Sequence, residues 1–467
     1  MPFPARPDTT AAPARAPAPS PGRYPPQVKY IVGNEACERF SFYGMVSVLV
    51  LYMNENLLYS ERDAKAYYHL FYMATYLTPL VGGWIADRFA GRYRTIFWIS
   101  FAYVVGHGVL AASETRAGLL AGLALIAAGS GGIKPCVSAF VGDQFRPEQK
   151  TLIQRIYGWF YWIINFGSGF AKLLIPLLFM AYGPSVAFAL PGVLMALALL
   201  VFWAGRSHYV RAPPSGPDPH SFLRVVRHAI DRLGTGRPGD HWLDGARERH
   251  PAEAVDGARS VLRLLGVFAA VTVFWALFDQ KGSSWVFQAR QMDLSFFGRQ
   301  LSPAQLQVLN PFLVMALIPL FTWVIFPLLE RRGVSLAPLR KMTAGMFITV
   351  LSFVAAAVVQ TLLDAGTPVH ALWQLPQYLL LTVGDVLVSV TGLEFSYTQA
   401  PRSMRSTIMS LWFLTVFLGN GLTALLTTLV TLEGAAFFWL FAALMLLAAF
   451  GFRFIARRFR PAAQAAE

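Results

Sequence analysis

Residues 82–92 read Gly-Gly-Trp-Ile-Ala-Asp-Arg-Phe-Ala-Gly-Arg and come at the end of a long apolar segment. Residues 330–333 read Glu-Arg-Arg-Gly and follow another apolar segment in the second half of the chain. Both stretches place an acid before basic residues and a glycine, at the same point of each half. This recurrence predicts two similar bundles of helices, related by an axis along the membrane normal.

Apolar segments occupy most of the chain on either side of these stretches. Of the 467 residues, 55% are apolar and 14% are charged, whereas a soluble protein carries about a quarter charged residues. A spanning helix needs roughly 20 mostly apolar residues. Twelve segments meet that requirement, near 27–53, 64–88, 94–113, 117–141, 153–181, 184–205, 263–288, 305–329, 341–363, 373–400, 406–431 and 434–456. The sequence therefore predicts an all-α membrane protein with twelve transmembrane helices.

The remaining segments predict the domain organisation. Residues 1–26, rich in Pro and Ala and without the apolar core of a signal peptide, are expected to form a disordered cytosolic tail. Two six-helix bundles follow at 27–205 and 263–456. Between them, residues 206–262 are too polar to span and are expected to form a cytosolic linker, with an amphipathic helix near Phe222–Leu233. Residues 457–467 form a second cytosolic tail in this prediction.

The formal net charge is +14, and it is distributed in short loops between the apolar segments. Basic residues are more frequent in the loops that lie on the side of the two termini, which predicts that both termini are cytosolic. This distribution disfavours binding of nucleic acid. The two cysteines, Cys37 and Cys136, lie inside apolar segments and indicate neither a disulfide framework nor a metal site.

Ionisable residues inside the spans are candidates for function because burying a charge in the bilayer is costly. Glu35, Glu38 and Arg39 share one face of the first helix, because they are three and four residues apart. Two carboxylates beside one guanidinium leave one negative charge uncompensated, so a further cation or a proton must neutralise it. Lys134 in the fourth helix is the predicted cation.

The depth of each charge follows from the helical rise of 1.5 Å per residue. Glu35, Lys134 and Glu394 lie about 10–12 Å from the cytosolic side. Asp279 and His69 lie in the outer half. Two groups of charges at different depths predict gates on either side of a central site, with protons passing between them.

Other intramembrane charges have structural interpretations. His107 is expected to form a hydrogen bond with a neighbouring helix. Asp385 is expected to be a structural partner, since it faces away from Glu394 on the tenth helix. Lys281 is expected to extend to the outer surface. The sequence offers no interpretation of Lys172.

Several motifs resemble those of one transporter family. They read EACERFSFYG at 35–44, GGIKPCVSAFVGDQF at 131–145, FYWIINFGS at 160–168, FWALFDQ at 274–280 and GLEFSY at 392–397. Together they resemble the proton-dependent oligopeptide transporter family, marked by Glu-x-x-Glu-Arg-Phe on the first helix. Residues 82–88 are similar to the cytoplasmic loop signature of the major facilitator superfamily. The resemblance extends over the chain from about residue 27 to 454, apart from the linker.

The resemblance implies a role for each matching position. Arg39 and Lys134 would receive the carboxylate of a peptide, with Tyr43 and Tyr76 nearby. The residues expected to hold the free amino terminus are Asn165, Asn310 and Glu394. Those expected to couple protonation to gating are Glu35, Glu38, His69 and Asp279, with Glu35 pairing with Lys134 in one state. Trp275 and Trp412 would line side-chain pockets.

The resemblance implies a proton-coupled symporter that imports di- and tripeptides by alternating access. A symporter of the same family for nitrate or a peptide-like metabolite is the alternative. We expect a monomer in a bacterial inner membrane, with protons as the coupling ion and no cofactor. The chain contains neither His-Glu-x-x-His nor Gly-x-Ser-x-Gly, which disfavours a membrane enzyme.

The chain also departs from the family pattern. Val46 stands where many members carry Arg or Gln, and Phe42 replaces a frequent Tyr. We expect no extra helix pair, because residues 206–262 are polar, and no external domain, because Asp364–Leu372 is a short loop.

Overall fold

The computed structural model describes residues 24–146, 149–214, 216, 218–233, 241–334, 336–399 and 404–459. Nearly all regular structure in these residues is helical. Of the predicted tails at 1–26 and 457–467, residues 1–23 and 460–467 lie outside the described residues, and Arg457 and Arg458 belong to the last helix.

The first half contains five long helices. They are α1 (Val28–Leu51), α2 (Glu61–Ile85), α3 (Arg92–Ala112), α4 (Arg116–Gly142) and α5 (Lys150–Ala204). Short π-helical turns extend α1 over Tyr52–Asn56 and α2 over Ala86–Ala90. At Gly183 α5 is broken, because φ of 81° there is non-helical backbone that glycine adopts readily. The two arms of α5 correspond to the fifth and sixth predicted spans.

The second half is more interrupted. Its helices are α7 (Ala252–Phe278), α8 (Ser284–Arg290), α9 (Leu309–Leu320), α10 (Phe326–Arg331), α11 (Pro338–Asp364), α12 (Leu375–Asp385), α13 (Thr391–Gln399), α14 (Arg405–Leu429) and α15 (Gly434–Arg458), and α6 of the linker is Phe222–Asp231. The π-helical turns Phe321–Ile325 and Val386–Val390 join α9 to α10 and α12 to α13. Four 3₁₀ turns span Trp242–Glu248, Asp279–Gly282, Pro303–Val308 and Ala371–Gln374. The strands β1 (Ser295–Phe296) and β2 (Arg299–Gln300) form a small antiparallel hairpin.

Nine helical ranges among the described residues are long and apolar enough to cross a membrane. One of them, Arg155–Ala204, contains both arms of α5. Neither α1 nor α2 is among the nine, since α1 carries four charged side chains and α2 is rich in tyrosine and begins with charged residues. The chain is therefore a multi-pass helical membrane protein.

Close approaches between helices bring the side chains of the first half together. A Cβ atom on Gly44 of α1 would lie 2.8 Å from Ile175 of α5, and one on Gly82 of α2 would lie 2.4 Å from the Cα of Gly132 in α4. Small residues at such contacts are typical of helices that pack tightly in membranes. These contacts position the charged face of α1 beside α4 and α5.

The connection between the halves forms a small packed unit. In it, α6 buries Val225 and Ala229 against Leu243 of the 3₁₀ turn and Val255 of α7. The helix α7 begins at Ala252, earlier than the span predicted from 263 onward. Sequence hydropathy misses this first part because it is charged and lies beside the linker, outside the apolar segment.

The helices run back and forth between two ends of the molecule. The linker end carries the α2–α3 turn and the linker, and Gln144 after α4 donates a hydrogen bond to the Val210 carbonyl there. The distal end carries the α1–α2 turn, where Arg116 donates to the Leu57 carbonyl.

The two halves are joined near the distal end. Arg62 there donates to the Thr427 carbonyl at 2.9 Å, and Arg290 of α8 pairs with Glu61 of α2.

Candidate functional site

The charged residues of α1 lie together, as their spacing predicts. Nε of Arg39 lies 2.8 Å from Oε1 of Glu35 and 2.7 Å from Oε2 of Glu38. All three side chains are buried, with Glu38 fully so. The single guanidinium thus compensates two carboxylates, and any change in the protonation of either acid alters the balance at Arg39.

Lys134 of α4 lies beside this cluster on aromatic rings. Its Nζ is 4.5 Å from the ring centroid of Phe42 and 4.5 Å from that of Tyr76. Among the described residues no carboxylate lies within 4 Å of it. The expected pairing of Glu35 with Lys134 is therefore not formed in this structure, where Glu35 contacts Arg39 instead. Cation–π contacts stabilise an ammonium less strongly than a carboxylate does, so Lys134 is available to an anion.

A second polar group lies towards the distal end. One ring nitrogen of His69 is 2.8 Å from Oδ1 of Asn420, and the other is 2.9 Å from Oγ of Ser283. Asn420 donates in turn to Oδ2 of Asp279 at 2.8 Å. The described residues thus form a continuous chain of hydrogen bonds from α2 through α14 to the end of α7. It joins the two halves and contains both residues predicted for the outer proton site.

The prediction that Lys281 reaches the outer surface is wrong. Lys281 is buried, its Nζ donates to the Phe278 carbonyl at 3.0 Å, and it lies 3.9 Å from Asp279. It belongs to the 3₁₀ turn Asp279–Gly282, whereas the prediction assumes a continuous α-helix at this point. Asp279 is therefore flanked by Asn420 and by a lysine.

The residues predicted to hold the amino terminus of the peptide, here called the amino pole, do not contact one another. Asn310 is buried and donates to Oγ1 of Thr382 at 3.1 Å, and Asn165 donates to the Tyr161 carbonyl at 2.9 Å. Glu394 of α13 is exposed, and within the described part of the chain it forms no hydrogen bond or ion pair. An exposed carboxylate without such a partner is free to meet a cationic ligand.

Aromatic side chains line the same region of the second half. The ring centroids of Trp275 and Trp412 are 6.4 Å apart and their planes are nearly perpendicular. The indole N–H of Trp275 is buried and has no hydrogen-bond partner in the described structure. Edge-to-face packing of this kind makes a stiff apolar wall.

His107 behaves as the sequence predicts for a structural residue. Its Nε2 lies 3.0 Å from Oγ of Ser41 in α1, and Ser41 also donates to the Pro191 carbonyl in α5. This contact ties α1 and α3 together behind the charged face of α1.

Asn420 and Ser283 are the residues that a search for ionisable groups does not find. Both are buried and neutral, and both complete the hydrogen bonds of His69. A search for every polar side chain inside a span would have included them, because such residues commonly hydrogen-bond between helices.

A multi-helix membrane protein with buried charges between two halves has the architecture of a transporter. Residues 93–440 match the POT family, and the chain belongs to this family of proton-dependent oligopeptide transporters.

The chain is similar to solute carrier family 15 member 2 of Rattus norvegicus, with 40% identity over 393 residues, which are 79% of this chain and 54% of that protein. Peptide transporter 3 of Caenorhabditis elegans is 40% identical over 72% of this chain and 51% of its own length. The chain spans about half the length of these curated relatives.

Solved structures match over nearly their whole length. The structure of the POT family transporter PepTSo has 43% identity and a TM-score of 0.89, over 93% of this chain and 98% of that chain. The structure of an auto-inhibited POT family peptide transporter has 41% identity and a TM-score of 0.89, over 95% and 99%. The predicted family is therefore confirmed.

Proposed function

We propose that this protein is a proton-coupled symporter that imports di- and tripeptides by alternating access. The observation that carries the proposal is the arrangement at α1 and α4. There Arg39 is held by two carboxylates, while the nearby Lys134 contacts only aromatic rings. A peptide carboxylate and the carboxylates of Glu35 and Glu38 compete for these two cations, so binding and protonation are linked.

The ligand chemistry follows from the two poles. A peptide is a zwitterion whose ends are common to all sequences, while its side chains vary. Arg39 and Lys134, with Tyr43 and Tyr76 beside them, would bind the carboxylate. Asn165, Asn310 and Glu394 would bind the amino group after the two halves approach each other. Trp275 and Trp412 would contact side chains without selecting one, which gives broad specificity.

The proton path has two parts in this proposal. Near the distal end, His69, Asn420 and Asp279 form a hydrogen-bonded chain that a proton could enter. Deeper in the protein, Glu35 and Glu38 would receive the proton, and a neutral Glu35 would release Arg39 for the substrate. When Glu35 loses the proton, it would pair with Lys134 or Arg39 and reset the gate.

The topology is part of the same proposal. Counting α1, α2 and both arms of α5 with the other spanning ranges gives twelve crossings, with the linker end and both termini in the cytosol. The contacts of Arg62 with the Thr427 carbonyl and of Arg290 with Glu61 would then close the outer side. A monomer in the inner membrane of a bacterium, using protons and no cofactor, is the form we propose.

Uptake of labelled dialanine into proteoliposomes tests this function. With the interior alkaline, the reconstituted protein should accumulate dialanine above its external concentration, and a protonophore should abolish the accumulation. Nitrate in excess should not compete. Proton-driven uptake of nitrate with no uptake of dialanine would instead support the related symporter for another solute.

A further inference from the structure

Lys172 in the first arm of α5 is a buried cation without an assigned role. Its side chain is 5% exposed, and none of the described carboxylates lies within 4 Å of it. Its Nζ lies 5.4 Å from the ring centroid of Tyr43 on α1. A charged ammonium buried without a carboxylate is costly, and an anion that reaches it offsets this cost.

The position of Lys172 is set by the packing of α1 on α5. Gly44 lies against Ala171 and Ile175, which holds Lys172 at the level of Tyr43. Seven residues earlier on α5 is Asn165, two helical turns away and on the same face. Lys172 therefore lies on the α5 face that also carries a predicted ligand of the peptide.

The surrounding charges do not neutralise Lys172. The ionisable groups that interact with its ammonium are Asp279, which attracts it, and Lys281, which repels it. Lys281 is the closer partner of Asp279, since its Nζ lies 3.9 Å from that carboxylate. Asp279 is thus paired with Lys281, and Lys172 has no carboxylate within 4 Å among the described residues.

Two ammonium groups consequently lie on consecutive rings of α1. Lys134 lies over Phe42 and Lys172 over Tyr43, and the two ring centroids are 5.4 Å apart. The first is the proposed partner of the main-chain carboxylate. Because Tyr43 is one of the residues proposed to surround the peptide carboxylate, the second borders the proposed binding site.

We propose that Lys172 binds the side-chain carboxylate of acidic dipeptides and so gives this transporter a preference for them. The proposal rests on the proposed function and deepens it by naming a substrate class. A peptide with a neutral side chain leaves Lys172 unpaired, whereas an aspartyl or glutamyl side chain supplies the missing anion. Glutamine has the same shape as glutamate without the charge, so the pair Ala-Glu and Ala-Gln isolates this interaction.

Equilibrium binding to the purified full-length protein tests the proposal without requiring transport. The wild type should bind Ala-Glu about tenfold more tightly than Ala-Gln, as expected for one charged hydrogen bond. In Lys172→Gln the two affinities should become equal, with dialanine bound as in the wild type. Lys172→Arg should keep the preference.

Lys29 provides the matched control, since it also lies over a tyrosine ring, with its Nζ 5.0 Å from the Tyr30 centroid, but is exposed at the linker end. Lys29→Gln should retain the full preference for Ala-Glu. Equal affinities of the wild type for both peptides would overturn the inference even if Lys172→Gln failed to fold. So would an equal loss for both peptides in that variant, which would indicate a structural role. A wild type that binds neither these peptides nor dialanine would refute the proposed function itself.

Discussion

Arg39 Nε lies 2.8 Å from Glu35 Oε1, one helical turn earlier on the same buried face of α1. Both residues are withdrawn from solvent, so their charges depend on each other. A ligand carboxylate that approaches Arg39 must compete with Glu35, and a proton on Glu35 removes that competition. This pair is the simplest place in the structure for substrate and proton to be coupled.

Glu394 should be required for peptides with a free amino terminus. It is exposed and has no ion-pair partner in the described structure, so Glu394→Gln removes one negative charge without breaking a contact. We expect uptake of unmodified dialanine to fall at least a hundredfold, because the ammonium group of the peptide would lose its counter-charge. Radiotracer uptake in proteoliposomes measures this. Transport at the wild-type rate would show that the amino pole lies elsewhere.

Val46 limits the positive charge at the carboxylate pole, the part of the site where Arg39 and Lys134 would bind the peptide carboxylate. It is buried two helical turns beyond Arg39 on α1. In Val46→Arg the added guanidinium should tighten binding of dialanine about tenfold and leave the C-terminal amide of the same peptide unaffected. Isothermal calorimetry with both ligands makes the comparison. If both ligands bind more tightly by the same factor, the substitution acts through the conformation of the protein and not through the peptide carboxylate.

His69 should influence the pH dependence of uptake. It is hydrogen-bonded on both ring nitrogens, to Asn420 and Ser283, and it reaches Asp279 through Asn420. His69→Gln keeps hydrogen-bonding ability but removes the titratable group. We expect the pH optimum of dialanine uptake to shift by about one unit. An unchanged pH profile in this variant, together with normal expression, would assign His69 to structure alone.

His250 makes the linker sensitive to acid. Burial and then the neighbouring His228, His220, Arg224 and Arg249 lower the pKa of His250 from its ordinary 6.5. Its ring contacts His220 at 3.0 Å and His228 at 2.6 Å. Because the folded linker binds this proton less well than the unfolded one, its stability is present above pH 6.5 and is lost as the pH falls below that value.

Hydrogen exchange of α6 measures that loss. Exchange, corrected for its intrinsic pH dependence, should be faster at about pH 5.5 than at about pH 7.5, while α11 in the second half should remain unchanged. His250→Gln should reduce the difference. A difference that persists in this variant would exclude His250 as its cause.

The sequence predicts the charged face of α1 well, since helical spacing alone brings Glu35, Glu38 and Arg39 together. It also predicts the break near Gly183, where two apolar segments meet. Contacts between distant helices are different. The link from His69 through Asn420 to Asp279 depends on three helices, and no local pattern indicates it.

The prediction that Lys281 extends to the outer surface is wrong for a related reason. The prediction assumes a continuous α-helix, whereas the chain forms a 3₁₀ turn at Asp279–Gly282. Likewise the partner of Lys134 in this structure is a pair of aromatic rings from α1 and α2, and charge counting alone does not reveal them.

Glu35 is the residue that couples the proton to the peptide in the proposed mechanism. Glu35→Gln permanently resembles the protonated form, so it should still bind peptide and exchange it across the membrane. It should fail to accumulate peptide against a gradient, because the proton no longer moves with its driving force of about 2.3 kcal/mol per 100 mV for each charge.

Counterflow and proton-driven uptake of dialanine, measured in the same proteoliposomes, test this claim most directly. We predict that Glu35→Gln retains counterflow at near the wild-type rate and loses proton-driven accumulation. Retention of both activities would contradict the role of Glu35 in coupling, and loss of both would contradict the separation of coupling from binding.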